Sequence, residues 1–421
     1  MTDPHPSIPH PSHIPPPASV TVIGGGAAGL TAAIFAARAG ARVVLLETTR
    51  RGGKKIIVSG GGRCNVLPSV ADARRFVTAG SPRLLARILG SWPLAEQRDF
   101  FETDLGVPLA LEPETGKLFP ASNRAADVRD ALVDAARDAG ADLRFGTTVR
   151  GVAPAADGWT VTLAEGPALG ARAVVVATGG LSVPKTGSEG FGLRLARETG
   201  HRVEPTYPAL APLTAEPAPH AELSGVSLPS ARVRVGTGRA ALATAGGFLF
   251  THRGYSGPSV LDVSHRTALG AAAGDPPDVR VGWTDAPREA WDAALRAPGR
   301  GLVASVLRDR LPTRLADQLL DEAGVPADRA RADLRRDERQ RLLDVLTDYP
   351  LPWTGDEGYK KAEVTGGGVA LSEVDARTLE SRRAPGLHFA GEVLDAFGPI
   401  GGHNFLWAWA TGRLAGLGVA G

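Results

Sequence analysis

Between residues 20 and 47 the chain alternates apolar and small-residue runs in a regular order. The apolar run Val20 to Ile23 predicts a buried strand, and an Ala-rich stretch to about Arg38 predicts a helix that Gly40 stops. A second apolar run, Val43 to Leu46, predicts another strand that ends on Glu47. Residues 82 to 105 alternate helical patterns with turns. Pro120-Ala-Ser122-Asn123 then offers caps for an amphipathic helix from about Arg124 to Ala139. Its apolar positions Val128, Leu132, Val133 and Ala136 keep the helical period, and Gly140 closes it. Asp142 to Phe145, Thr147 to Val152, Trp159 to Leu163 and Ala173 to Ala177 read as strands. The last of these, Ala-Val-Val-Val-Ala, has the unbroken apolarity of a parallel strand covered on both faces.

Near residue 200 the texture changes. Residues 203 to 283 show short strand patterns broken by Pro and Gly, which suggests a small β-barrel or sandwich, and 286 to 347 are strongly helical. Glycine-rich turns after short strands then return, at Gly366-Gly-Gly and Gly391-Glu392. The expected organisation is a tail over 1–18, a nucleotide-binding part over 19–200, a β-rich insertion over 201–285, a helical insertion over 286–350 and a second nucleotide-binding part over 351–421. The fold class is therefore α/β, a Rossmann-like domain split by an inserted β plus α unit.

The glycines of the first unit fall at Gly24-x-Gly26-x-x-Gly29, between the strand and the helix. Gly24 suits the tight turn, Gly26 lets a pyrophosphate approach the backbone, and Gly29 lets helix and strand pack closely. The helix N-terminus offers unpaired N–H groups to phosphate. Glu47, 23 positions after Gly24, can accept from ribose hydroxyls, and its charge opposes a 2′-phosphate. A second Gly-x-Gly-x-x-Gly after a strand is missing from the sequence, which argues for one dinucleotide domain and against a dedicated NADPH domain.

Composition narrows the chemistry. The 421 residues carry 47 Lys+Arg against 45 Asp+Glu, so the formal charge of +2 points to neither nucleic acid nor a membrane surface. One cysteine, Cys64, excludes an internal disulfide or a dithiol relay. The Pro- and His-rich first 18 residues read as a disordered extension and not as a signal peptide, and the expected location is cytoplasmic. Six lysines stand among 41 arginines, and five of the six lie in or beside glycine-rich segments, where a compact ammonium suits a phosphate or a flavin ring. Arg51 to Asn65 reads as a loop shaped to lie against something.

Several of these segments, taken together, resemble a known family. Lys55-x-x-x-Ser59-Gly-Gly-Gly-Arg63-Cys64-Asn65, Ala177-Thr-Gly-Gly180, Phe250-Thr-His-x-Gly254-x-Ser256-Gly257-Pro258 and Gly391-Glu-Val-Leu-Asp395 with Gly401-Gly402-x-Asn404 resemble, in order, bacterial FAD-binding proteins of the glutathione-reductase-type superfamily. These are labelled NAD(P)/FAD-dependent oxidoreductases or aminoacetone-oxidase-family enzymes. The resemblance implies FAD in an extended conformation; NAD(P)H as a transient electron donor is one expectation, while the missing second dinucleotide domain speaks for an oxidase. The contacts it implies are Gly24, Gly26, Ala27, Ala28, Gly29, Glu47, Lys54, Lys55, Ser59, Gly60, Gly61, Gly62, Arg63, Cys64 and Asn65 from the first part. Val149, Ala177, Thr178, Gly179 and Gly180 follow, then Gly391, Glu392, Asp395, Gly401, Gly402, Asn404 and Phe405 from the second part.

For the chemistry itself, Cys64, Lys185, Tyr255 and His403 are the candidate catalytic side chains, with His252 beside Tyr255. The expected reaction moves a hydride at flavin N5 to or from a small organic substrate; an amine-type oxidase and a non-catalytic FAD-binding protein are the alternatives. A monomer or homodimer with no metal is expected, since the histidines show no clear metal-ligand spacing.

Overall fold

The computed structural model describes residues 18–421, so the expected tail lies outside the described residues except for Ala18. The sheet that begins with the first strand has parallel strands at its centre. Ala18–Ile23 pairs with Val43–Glu47 on one side and with Leu169–Val176 on the other, in registers Val22↔Leu45 and Val22↔Val175. Asp142–Phe145 extends the first side. On the far edge of Leu169–Val176, the late strand Leu387–Phe389 runs parallel, and the hairpin Val149–Ala155/Gly158–Leu163 pairs antiparallel. Since the chain leaves Ala18–Ile23 to one side and returns on the other, a crevice opens at the ends of Ile23 and Val176, where sheets of this kind bind ligands.

Two helices cross each other on this sheet. Ala27–Arg38 begins at Gly26, and the 16-residue helix His403–Gly418 begins at Gly402. They touch backbone to backbone: a Cβ on Gly412 would stand 2.5 Å from the carbonyl oxygen of Ala28, and one on Gly416 would stand 2.5 Å from that of Ala32. Small residues on both faces thus lock the helices together. Their two N-termini end on the same crevice.

The chain crosses twice into the inserted unit, along the antiparallel pair Val203–Ala209 and Val364–Val369. The insertion has its own hydrophobic core, in which Val233, Phe248 and Trp283 of its strands pack with Trp291, Leu315 and Leu343 of its helices. Strand-rich and helical stretches therefore form one packed body. The expected barrel or sandwich is a seven-stranded antiparallel sheet whose strand order has two ends. Helices at Pro258–Leu261 and Ser264–Ala272 interrupt it where only strands were expected; Pro258 takes the first helical position after Gly257. A small third cluster, Ala209, Leu210, Leu261, Val364 and Phe397, fills the seam between the two bodies. Among the described residues no helix is long and apolar enough to cross a membrane, and no group of His, Cys, Asp or Glu could hold a metal ion.

Candidate cofactor and active site

The crevice is a deep cavity, and its floor is the glycine turn. Gly24 has φ +103°, and a Cβ there would meet the carbonyl oxygen of Ala177 at 2.4 Å, so conformation and space both demand glycine. Gly29 lies off the cavity wall. A Cβ on it would sit 1.8 Å from the Gly24 carbonyl oxygen, so it serves helix–turn packing. Gly26 differs from both: its φ is −84° and a Cβ would find nothing within 4 Å. Its missing side chain leaves space in the cavity and relieves no strain.

Both helix N-termini on the cavity lack a side-chain cap. Their first N–H groups and partial positive charge are open to a ligand, which is a natural arrangement for phosphate at one and for an electron-rich ring at the other. At the first end, Glu47 accepts from the Gly25 N–H at 2.7 Å (Oε2) and from the Thr49 N–H at 2.7 Å (Oε1). Those bonds fix the carboxylate and leave lone pairs for ribose. Beside it, the hydroxyls of Thr48 and Thr148 lie 2.6 Å apart.

Another stretch of the cavity wall is held by a side-chain network. Lys55 Nζ donates to Glu392 Oε2 at 2.5 Å and to Ser182 Oγ at 2.6 Å, while Ser182 Oγ donates to Glu392 Oε1 at 2.5 Å. The Thr365 N–H donates to the same Oε1 at 3.0 Å, and the Thr365 hydroxyl accepts from the Leu181 N–H. This network ties both halves of the split domain together. Lys54 Nζ donates to the Lys185 carbonyl oxygen. Asn404 clamps the loop before the last helix, donating to the Gly398 carbonyl and accepting from its N–H, both at 2.9 Å. Asn65 Oδ1 is buried against the cavity with no partner.

These features suit FAD. An orphaned amide oxygen at one end, two uncapped helix N-termini, a fixed acid and a glycine whose Cβ would fill only cavity space all suit an extended dinucleotide carrying a hydrogen-bonding ring. The residues fit.

Most of the expected contacts line the cavity: Gly24, Gly26, Ala27, Ala28, Glu47, Lys54, Lys55, Ser59, Gly60, Asn65, Val149, Ala177, Thr178, Gly179, Gly391, Glu392, Gly401, Gly402, Asn404 and Phe405. Others do not, for reasons visible in the packing. The segment read as a loop holds a short helix, Lys54–Val58, that turns Gly61, Gly62 and Arg63 outward. Arg63 pairs with Glu112 at 3.0 Å and covers the Phe119 ring. Gly180 packs on Thr365, and Asp395 accepts from the Thr78 hydroxyl and the Ala79 N–H, bracing a turn outside the cavity.

The candidate catalytic residues fare worse. Cys64 is fully buried, and burial pushes its thiol up to about 12 against a smaller opposing hydrogen bond from Ser59. Tyr255 is buried in the inserted core, 2.8 Å from His220 Nδ1, and burial followed by the Glu322 charge pushes its hydroxyl up. His252 is exposed on a turn of the insertion. Lys185 and His403 also lie off the cavity wall. His403 is buried against Phe76, and burial with the Arg75 charge lowers it to about 4.

Residues that sequence reasoning missed complete the wall. Thr147, Thr148 and Arg150 follow the strand Asp142–Phe145; Ser188, Phe191 and Arg194 follow Gly187; Glu363, Val364 and Ile400 come from the seam. Glu363 carries no recognisable motif. Only the crossing of the chain between bodies brings it to the cavity.

Comparison with known proteins agrees with this geometry. A ribosomal RNA dihydrouridine synthase of Escherichia coli (strain K12) is 35% identical over 357 residues, 83% of this chain and 85% of that protein. A 3-dehydro-bile acid delta(4,6)-reductase of Clostridium scindens is 33% identical over 365 residues, 85% of this chain and 88% of that protein. The solved 3-ketosteroid delta1-dehydrogenase from Sterolibacterium denitrificans, in complex with 1,4-androstadiene-3,17-dione, shares the fold with a TM-score of 0.52 at 14% identity, covering 96% of this chain and 99% of that one. The family model described as the HI0933-like protein Rossmann domain matches residues 18–418, so the chain belongs to that family of FAD-binding oxidoreductases.

Proposed function

We propose that this protein is an FAD-dependent reductase that saturates a C=C bond conjugated with a carbonyl group, drawing electrons from NADH or NADPH. The observation that carries the reading is a pair of relatives with dissimilar substrates and one shared bond chemistry. The E. coli protein is named for making dihydrouridine, in which the ring C=C beside a carbonyl is saturated; the C. scindens protein is named for reducing the delta(4,6) bonds of a 3-keto compound. FAD, when bound, supplies the hydride at N5.

The chain's own residues give the rest of the support. The uncapped N-terminus at Gly402–His403 offers partial positive charge to the electron-rich end of the reduced ring. Lys55 and Glu392 on the cavity wall are fixed by each other and by Ser182, and Val364 and Ile400 of the seam add apolar surface. Near-balanced charge supports a free small molecule as the substrate. A uracil ring within RNA is the second reading, favoured by the E. coli relative. The test is a panel of conjugated enones, dienones, uridine and unmodified ribosomal RNA with NADH or NADPH. Gain of two hydrogens by one class identifies it by mass. An amine consumed with oxygen, and no acceptor reduced, would replace the proposal with an oxidase.

A further inference from the structure

Resting on that reading, a proton must reach the carbon beside the carbonyl as hydride reaches the other. The site offers four carboxylates on its wall: Glu47, Glu189, Glu363 and Glu392. Glu47 is held by two backbone N–H groups at the dinucleotide end, and Glu392 is engaged by Lys55, Ser182 and Thr365. Glu189 follows the Gly187 turn, where a Cβ on Gly187 would come within 4.0 Å of Glu47 Oε1, and so belongs to the dinucleotide end as well.

Glu363 stands apart. It lies on the seam beside Val364, which lines the cavity with Ile400, Gly401 and Gly402. Its backbone is fixed by the N–H bond to Leu210 and by the buried neighbours Ala362 and Val364. Its carboxyl makes no hydrogen bond or ion pair to another described residue, and the residue lines the cavity with much of its surface still exposed. The charged groups facing it are Lys117, whose stem packs 3.6 Å from where a Gly401 Cβ would be, Lys55, and Asp262, which accepts from the Ile400 N–H at 2.7 Å.

We propose that Glu363 is the catalytic acid, donating its carboxyl proton to the carbon α to the substrate carbonyl. The balance is complete: hydride and its electron pair arrive at the β carbon, the C=C π pair moves to the carbonyl side, the Glu363 O–H bond breaks and a C–H bond forms at the α carbon. The two electrons come from the nicotinamide donor through the cofactor, and water re-protonates Glu363. Partial desolvation by the surrounding protein raises the Glu363 carboxyl from its ordinary value, opposed by Lys117 and Lys55 and reinforced by Asp262.

The experiment compares wild type with Glu363→Gln and Glu363→Asp, all loaded with FAD. First, the δ-¹³C glutamate resonance that disappears in Glu363→Gln is followed against pH. A midpoint above the ordinary glutamate value of about 4.3 is expected, and an ordinary midpoint overturns the proposal. Second, reduction of the flavin by the nicotinamide and its reoxidation by the best acceptor are timed separately. Glu363→Gln should slow acceptor reduction ~10²–10⁴-fold with donor reduction unchanged, and Glu363→Asp should recover part of the loss. Full acceptor turnover in Glu363→Gln refutes the acid while leaving the reductase standing. A wild type that reduces no conjugated carbonyl brings down the reductase reading and the acid together.

Discussion

Gly26→Val separates a cofactor cradle from a packing turn. At residue 26 the backbone is extended, φ −84° and ψ −166°, which valine adopts readily, and a Cβ meets nothing within 4 Å. The folding cost is therefore that of replacing glycine at a helix N-cap with a poor capping residue, about 1 kcal/mol. In a chain of this size that lowers Tm by about 2 °C. The added methyls occupy the space before the first N–H groups of the helix Ala27–Arg38. Blocking two charge-assisted phosphate bonds, at about 1.5–3 kcal/mol each, weakens FAD by ~10²–10⁴-fold. Gly29→Ala is the control, because its Cβ would stand 1.8 Å from the Gly24 carbonyl and must displace backbone. Apoprotein melting by circular dichroism and flavin fluorescence titration read both effects. Near-normal melting with FAD lost is expected for Gly26→Val, and gross destabilisation for Gly29→Ala. A Gly26→Val protein that binds FAD as wild type does, or that unfolds like Gly29→Ala, refutes the reasoning.

Three further outcomes follow from the same geometry. With its thiol near 12, Cys64 presents a thiolate fraction of ~10⁻⁴ at pH 8, so the native protein should resist iodoacetamide and react fully once denatured, and Cys64→Ser should keep its activity; fast native labelling contradicts this. His403 and His265 are both lowered to about 4 by burial, so the unfolded chain binds their protons first and stability falls as pH drops from 6.5 towards 4, by up to about 3 kcal/mol for each. Asp262, raised by burial to about 6, acts in the opposite sense between about 4 and 6, losing its contribution as pH rises. His403→Phe should flatten the acid side of a urea-stability profile, and an unchanged slope would show that His403 does not stay neutral. Glu392→Ala leaves the Thr365 N–H and Ser182 hydroxyl short of their acceptor and should cost about 1–3 kcal/mol in urea unfolding; wild-type stability would show the network to be incidental.

How far the chain could be read in advance depended on the range of the interaction. The unit Ala18–Glu47 was legible because its periodicity and its glycines act locally, and the three glycines divide their roles as their spacing implies: turn, open space and close packing. The last helix was legible for the same reason, but not why it carries Gly412 and Gly416; these answer to Ala28 and Ala32, nearly four hundred positions earlier in the chain. The short helix Lys54–Val58 was hidden by the glycines flanking it, and with it the outward turn of Arg63. Cys64 stood out in a glycine-rich loop, whereas packing buries it off the cavity wall. Glu363 was illegible because its significance depends on which side chains stay unpaired at a seam formed by segments far apart in sequence.

The central claim is that this cavity holds FAD that passes hydride from a nicotinamide to a conjugated carbonyl compound. The direct measurement is an anaerobic titration of the FAD-loaded protein with NADH or NADPH, watching the visible flavin band, followed by addition of an enone, a dienone or uridine. Bleaching by the nicotinamide and recovery of the band on adding one acceptor class, with the saturated product formed in equal amount, is the predicted result. A flavin that dithionite bleaches but neither nicotinamide does, or one that stays bleached with every acceptor and recovers only with oxygen, would contradict it.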